Sequence, residues 1–349
     1  MNPEEKKLAL LVFGAGAIGT YLGGTLALNG HRVVFLERPE KFSDLKERGF
    51  TIHQNGERKH LPDPLLAPSP EAALKTDRFD LAIYALKTYH VERVLSDLQK
   101  LPDRFPPLLC LQNGIGIESQ LAQVLGWEKI LPGTITTAVS KTHTGEVTVE
   151  NQRGLGVGGK HPLALELVEI LGAAALSARF YPHWQAMKWS KLYTNLMGNA
   201  ASAILDWTPA EIYRSRAGYE LEIRQLNEAL AVMRAEGHRP VHLPGIPVPI
   251  LANLLRRLPG ILGRPLFSRI LGGGRGDKMP SFHIDLENGS RVSEVEWLNG
   301  AVVRRGQQHG VPTPVNTLLT ETLTKLISGE IPRRAFAGQP EKLLARLEQ

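Results

Sequence analysis

The chain has 349 residues, 42% of them apolar and 22% charged, which is the balance of a folded globular protein too long for one hydrophobic core. Its net charge of +6 is concentrated: five of those charges fall between Leu243 and Lys278, where no zinc-finger or RNP-type pattern accompanies them, and this argues against nucleic acid as a partner. The single cysteine, Cys110, excludes an internal disulfide and any cysteine-based zinc site, and no metal is expected.

Met1 to Lys7 is polar, and the apolar run after it, Leu8–Phe13, is too short for a signal core or a membrane span, so a cytoplasmic protein is expected. Leu8–Phe13 reads as a strand, and Thr20–Asn29 as a helix closed by Gly30. Arg32–Glu37, Asp80–Leu86 and Leu108–Gln112 read as further strands. Short apolar runs alternating with amphipathic stretches make βαβ units and a parallel sheet. Ile130–Gly159 differs. Its alternating β-branched residues and the turn Thr144-Gly145-Glu146 predict an antiparallel hairpin at the sheet edge. Beyond Tyr181-Pro182 helical periodicity takes over, with helices over Trp184–Leu205, Pro209–Glu236, Ser293–His309 and Asn316–Ser328. The expected organisation is therefore an α/β domain over residues 1–182 and a mostly α-helical domain over 183–349.

Between the first strand and its helix stands Gly14-Ala15-Gly16-Ala17-Ile18-Gly19. In this strand–turn–helix setting the first glycine permits the tight turn and the second lets the backbone approach a pyrophosphate. The third lets helix and strand pack closely, and the helix N-terminus attracts the phosphates. The pattern predicts a Rossmann-type dinucleotide-binding domain. Strand two ends in Glu37-Arg38: a glutamate there favours the ribose hydroxyl of NAD, an arginine the 2′-phosphate of NADP, and the residues alone leave both open. Lys87 and Asn113 each follow a predicted strand at the same sheet edge, although either can be an ordinary surface or turn residue. Lys191, Asn195 and Asn199 recur at a spacing of four on a helix otherwise rich in Leu, Met, Ala and Trp. Asparagine is a poor helix former, so this stripe suits a ligand cleft better than a solvent face. Ser293 with Glu296 fits a capping box that puts Glu294 in a first helical turn.

Taken together, the glycine turn, Ala85-Leu86-Lys87, Gln112-Asn113-Gly114-Ile115-Gly116, the run Lys188 to Asn195, Pro280 to Asp285 and Ser293 to Gly300 resemble the ketopantoate reductase family in order and approximate spacing from residue 8 to about 320. The resemblance implies NADPH-dependent reduction of 2-dehydropantoate to pantoate, as in pantothenate and coenzyme A biosynthesis. It implies Lys191 as the catalytic lysine and proton donor, with Glu294 beside it. Asn195, Asn199, Ser281 and Glu294 fall at its substrate positions. Lys87 and Asn113 fall near the cofactor and the reacting carbonyl, and Arg38 at the 2′-phosphate. NADP is thus the expected cofactor, with NAD kept open by Glu37. Leu243–Lys278 departs from the family in length. We read it as a lid or packing element; a homodimer contact is an alternative, and its breaks at proline and glycine argue against a membrane-surface role. Two rival readings remain: a reductase of a different small 2-oxo acid, and a non-catalytic NADP(H)-binding sensor.

Overall fold

The computed structural model describes residues 6–101, 105–275 and 279–348. Met1–Glu5, Asp277 and Lys278 lie outside that range, and with them the ends of two of the segments read above. The chain divides into two compact units. One holds residues 1–112, 116–187 and 243–246; the other holds 113–115, 188–242 and 247–349.

The first unit is α/β. Its elements are β1 (Ala9–Phe13), α1 (Ala17–Leu28), β2 (Arg32–Leu36), α2 (Phe42–Arg48), β3 (Phe50–Gln54), β4 (Glu57–Leu61), β5 (Leu65–Ala67), α3 (Pro70–Thr76) and β6 (Leu81–Tyr84). There follow α4 (Val91–Leu98), β7 (Leu108–Cys110), α5 (Ile117–Leu125), β8 (Ile130–Ile135), β9 (Ala138–His143), β10 (Glu146–Asn151), β11 (Leu155–Gly158), α6 (Leu163–Ala173) and β12 (Ala178–Tyr181). Eight strands form one sheet in the order β12-β11-β8-β7-β6-β1-β2-β5. All its pairings are parallel except β8 with β11. The central strands are covered on both faces, which is why β1 and β6 read as unbroken apolar runs; Leu10, Leu11, Leu81 and Ile83 are fully buried. From β1 the strand order runs outward through β2 to one edge and through β6 to the other, so the carboxyl end of β1 is a topological switch point.

The predicted edge hairpin is corrected. β9 and β10 do pair antiparallel around Gly145, but they belong to a second, four-stranded sheet in the order β4-β3-β10-β9. β8 and β11 remain in the main sheet. The second sheet forms because β10 adds parallel to β3, with Thr51 N–H donating to Gly145 O (2.8 Å) and Val147 fully buried.

The second unit is helical, and the chain enters it within α7 (Trp184–Leu196). Then come α8 (Asn199–Leu205), α9 (Pro209–Arg214), α10 (Arg216–Ala235), α11 (Val248–Arg257), α12 (Gly260–Arg275), α13 (Ser281–Glu287), α14 (Asn299–His309), α15 (Pro314–Ser328) and α16 (Pro340–Leu344). Pro209–Glu236, read as one helix, is two. Ser215 interrupts it in extended conformation and caps α10 by accepting from Gly218 N–H at 3.2 Å. The Leu243–Lys278 segment supplies α11 and α12 rather than short broken pieces, and α12 continues through Pro265. It packs on α9, where Phe267 is fully buried against Tyr213 and Ser268 Oγ donates to Ala210 O (2.9 Å). Among the described residues no helix is long and apolar enough to cross a membrane.

Candidate active site

β1 delivers the chain into the glycine turn at the switch point. Gly14 takes φ +89° and donates its N–H to Leu36 O (3.0 Å), tying the turn to the end of β2. A Cβ on Gly19 would stand 1.9 Å from Gly14 O, so the third glycine is demanded by the turn itself. A Cβ on Gly16 would meet nothing within 4 Å. Gly16 caps α1 with no side-chain hydrogen bond, and the first turn of α1 has no acidic residue. The result is a helix N-terminus with open space before it and N–H groups without a capping side chain, a cradle whose shape and polarity fit a dinucleotide pyrophosphate.

Glu37 and Arg38 have different surroundings. The Glu37 carboxylate is mostly buried, with 11% of its side chain exposed, and accepts from Ala15 N–H (3.3 Å) and Arg38 N–H (3.0 Å). The Arg38 guanidinium is 65% exposed, 3.5 Å from Glu40. Burial, then the charges of Arg93, Arg38 and Lys87, hold the His90 imidazole below its ordinary pKa. Arg38, Lys87 and Arg93 therefore share one positive neighbourhood. Lys87 follows β6 and caps a short 3₁₀ turn. Gln112, quoted above only as part of a motif, holds two strand ends together: its Nε2 donates to Tyr84 O (2.7 Å) and Leu86 O (3.1 Å).

In the helical unit the polar stripe is rearranged. Lys191 and Asn195 share one face of α7, but the helix predicted to continue to Leu205 ends after Leu196. Gly198 turns the chain with φ +67°, and its N–H donates to Glu222 Oε2 (2.8 Å) instead of continuing the helix. Asn199 thus opens α8 and is not one helical turn on from Asn195. Asn195 Nδ2 donates to Asn113 Oδ1 (2.9 Å). Asn199 Nδ2 lies 3.5 Å from Ser281 Oγ, and its Oδ1 accepts from Phe282 N–H (3.2 Å), so it joins the starts of α8 and α13. Asn113 belongs to this unit through a close approach: a Cβ on Gly114, at φ +91°, would stand 2.2 Å from Trp297 O.

Glu294 opens the 3₁₀ turn Glu294–Trp297 and is 5% exposed. The expected capping box is not formed. Ser293 Oγ accepts from Val295 N–H (3.1 Å), while the Glu296 carboxylate lies 3.3 Å from Arg304 Nη1. The tight 3₁₀ turn brings the second N–H, not the third, onto the serine. Beneath it, fully buried Asn299 donates to Gln225 Oε1 and Asn316 Oδ1 (both 3.0 Å), and Glu228 caps α15 at Val315 and Asn316. Asn299 is thus a framework residue.

Glu222 had no signature in the sequence. It is fully buried, and besides Gly198 it accepts from Tyr213 Oη (2.9 Å) and Gln225 Nε2 (2.7 Å). Burial raises its pKa from 4.5 to about 7, against those three hydrogen bonds, which pull it down. Because the folded pKa lies above the unfolded one, the stabilisation is complete below about pH 4.5 and is lost as pH rises through 7. The loss is roughly 3 kcal/mol. Glu222→Gln should flatten this dependence, read as urea midpoints at pH ~5 and ~8. An undiminished fall in the variant would assign the pH dependence to other groups.

The glycine cradle at a switch point and a separate polar helical unit define a class, the two-unit dinucleotide-dependent oxidoreductases. The family model described as "Ketopantoate reductase PanE/ApbA" matches residues 10–160, and "Ketopantoate reductase PanE/ApbA C terminal" matches 183–326. The chain belongs to the ketopantoate reductase family. It is 26% identical over 323 residues to the 2-dehydropantoate 2-reductase of Lactococcus lactis, covering 90% of this chain and 96% of that one. The crystal structure of 2-dehydropantoate 2-reductase from Geobacter metallireducens shares the fold at TM-score 0.76 and 23% identity, over 91% of this chain and 99% of that one. D-mandelate dehydrogenase, solved with NADH and anilino(oxo)acetate, matches at TM-score 0.75 and 25% identity, over 92% and 98% of the two chains.

Proposed function

We propose that the chain reduces 2-dehydropantoate to pantoate with NADPH, Lys191 donating the proton. The observation that carries the reading is a pair of hydrogen-bonded couples in the helical unit matched by the family, Asn113 with Asn195, which lies one turn of α7 on from Lys191, and Asn199 with Ser281. Asn195, Asn199 and Ser281 offer donors and acceptors for a substrate carboxylate and hydroxyl. Bound at the glycine cradle, the nicotinamide cofactor supplies the hydride. Charge then grows on the substrate oxygen, where the Lys191 ammonium stabilises it and gives up its proton. Glu294 orients that ammonium or accepts from the substrate hydroxyl. The reaction is taken to be cytoplasmic, in keeping with a single, buried cysteine in the sequence. The test is NADPH oxidation by purified protein on addition of 2-dehydropantoate. Cofactor binding without turnover on any 2-oxo acid would leave the sensor reading standing.

For the cofactor, the positive neighbourhood of Arg38, Lys87 and Arg93 supports NADPH. Arg38→Ala is expected to lower kcat/KM for NADPH about tenfold, the loss of one charge-assisted contact, and to leave NADH unchanged. Equal losses with both cofactors would remove Arg38 from 2′-phosphate recognition. Glu37, leaning on Ala15 N–H, favours NADH, the cofactor bound in the D-mandelate dehydrogenase structure. That neighbour also motivates a second substrate reading, another small 2-oxo acid. A substrate panel ranked by kcat/KM separates the two.

A further inference from the structure

We infer that the helical unit carries a second anion site, a pocket for a small phosphorylated molecule formed by the end of α10, the turn after it and α11. The cavity measures about 670 Å³, within the usual size of a small-ligand pocket. Arg234, Arg239 and Arg256 line it from three separate stretches of chain, with Asn253 beside them and Leu230 and Ala252 contributing apolar wall. No carboxylate lines it among the described residues. The nearest acid in sequence, Glu236, has 6% of its side chain exposed; it accepts from Trp189 Nε1 (2.8 Å), pairs with Arg305 and lies 4.0 Å from Nε2 of His238, which also lines the cavity.

Arg224, Arg304, Arg305 and Arg333 each pair with a glutamate. Arg234, Arg239 and Arg256 have no ion pair and no side-chain hydrogen bond among the described residues. Three like charges facing one cavity repel one another, and an anion with several acceptor oxygens relieves that repulsion. Guanidinium forks match phosphate oxygens in pairs, and the apolar wall suits an organic body attached to the phosphate. The ligand class is therefore a phosphate ester or diphosphate of metabolite size. This site is independent of the reaction proposed above and of the glycine cradle, which lies in the other unit.

The test is calorimetric titration of the whole protein with inorganic pyrophosphate, which on the function proposed above the glycine cradle takes as well. Two binding events are expected in the wild type and one in the triple variant R234Q/R239Q/R256Q. A control, R257Q/R269Q/R291Q, removes the same charge from arginines outside the lining and should keep both. Arg239→Gln alone, on the exposed turn, should weaken the second event about tenfold should the triple variant fail to fold. Wild-type pyrophosphate binding that the cavity variants leave unchanged, or equal loss in the control, overturns the proposal; a single wild-type event that the triple variant abolishes keeps it and counts against the cradle instead. Binding to phosphatidylserine vesicles with no pyrophosphate event that the triple variant removes also overturns it, and would make the arginines a membrane contact.

Discussion

Lys191→Ala is expected to lower kcat on 2-dehydropantoate about 10³-fold while leaving the dissociation constant for NADPH within a factor of about two. A 10³-fold loss is roughly 4 kcal/mol of transition-state stabilisation, which a positioned ammonium supplies by meeting charge on the substrate oxygen and then donating its proton. The fold should tolerate the change. Alanine is the best helix former, and the bond from Thr194 Oγ1 to the Lys191 carbonyl (2.9 Å) uses the backbone and survives. Cofactor affinity should survive because the glycine cradle belongs to the other unit. Lys191→Arg separates the two roles. It keeps the charge but holds its proton too tightly to give it up, so KM should move little while kcat falls almost as far as in the alanine variant. A kcat within tenfold of wild type in Lys191→Ala would take this residue out of the chemistry.

Much of the cofactor unit was legible because its signals are local. β1, the glycine turn and α1 follow one another in sequence, and both-face burial writes β1 and β6 as plain apolar runs. The second sheet was not legible. Its inner strand β3 pairs with β10 across some ninety residues, and β4, Glu-Arg-Lys-His-Leu, has the composition of an exposed strand with only a weak apolar alternation. The same contrast runs through the helical unit. That Lys191 and Asn195 share one helix face followed from a spacing of four, which helix geometry fixes. The end of α7 was missed because an isolated glycine in a helical pattern is usually tolerated. What stops the helix is Glu222, twenty-four residues further on, taking the Gly198 N–H. Periodicity cannot report a partner that arrives from another helix. For the same reason nothing in the pattern reported that Asn299 holds α14 to α10 and α15.

Gly16→Ala and Gly19→Ala should fail in opposite ways, although the two glycines share one motif. Gly16 has φ −76°, ordinary for any residue, and its added Cβ meets open space. The variant should melt within a degree or two of wild type, because the substitution adds no clash and stiffens the unfolded chain. Its cost should appear only when the dinucleotide backbone approaches, as a rise of about 10- to 100-fold in the dissociation constant for NADPH. Gly19→Ala puts its Cβ 1.9 Å from the Gly14 carbonyl oxygen, a backbone atom held in place because Gly14 N–H bonds Leu36 O. Either α1 must move off the sheet or the turn must open, and a forced shift of that kind costs about 3 kcal/mol or more. For a unit of this size the melting temperature should drop by about 10 °C before any ligand is added. Thermal melts of both variants, with and without NADPH, measure the two effects together. Unaltered NADPH affinity in Gly16→Ala would mean that the pyrophosphate lies elsewhere, and a stable Gly19→Ala would mean that the turn can relax around a side chain.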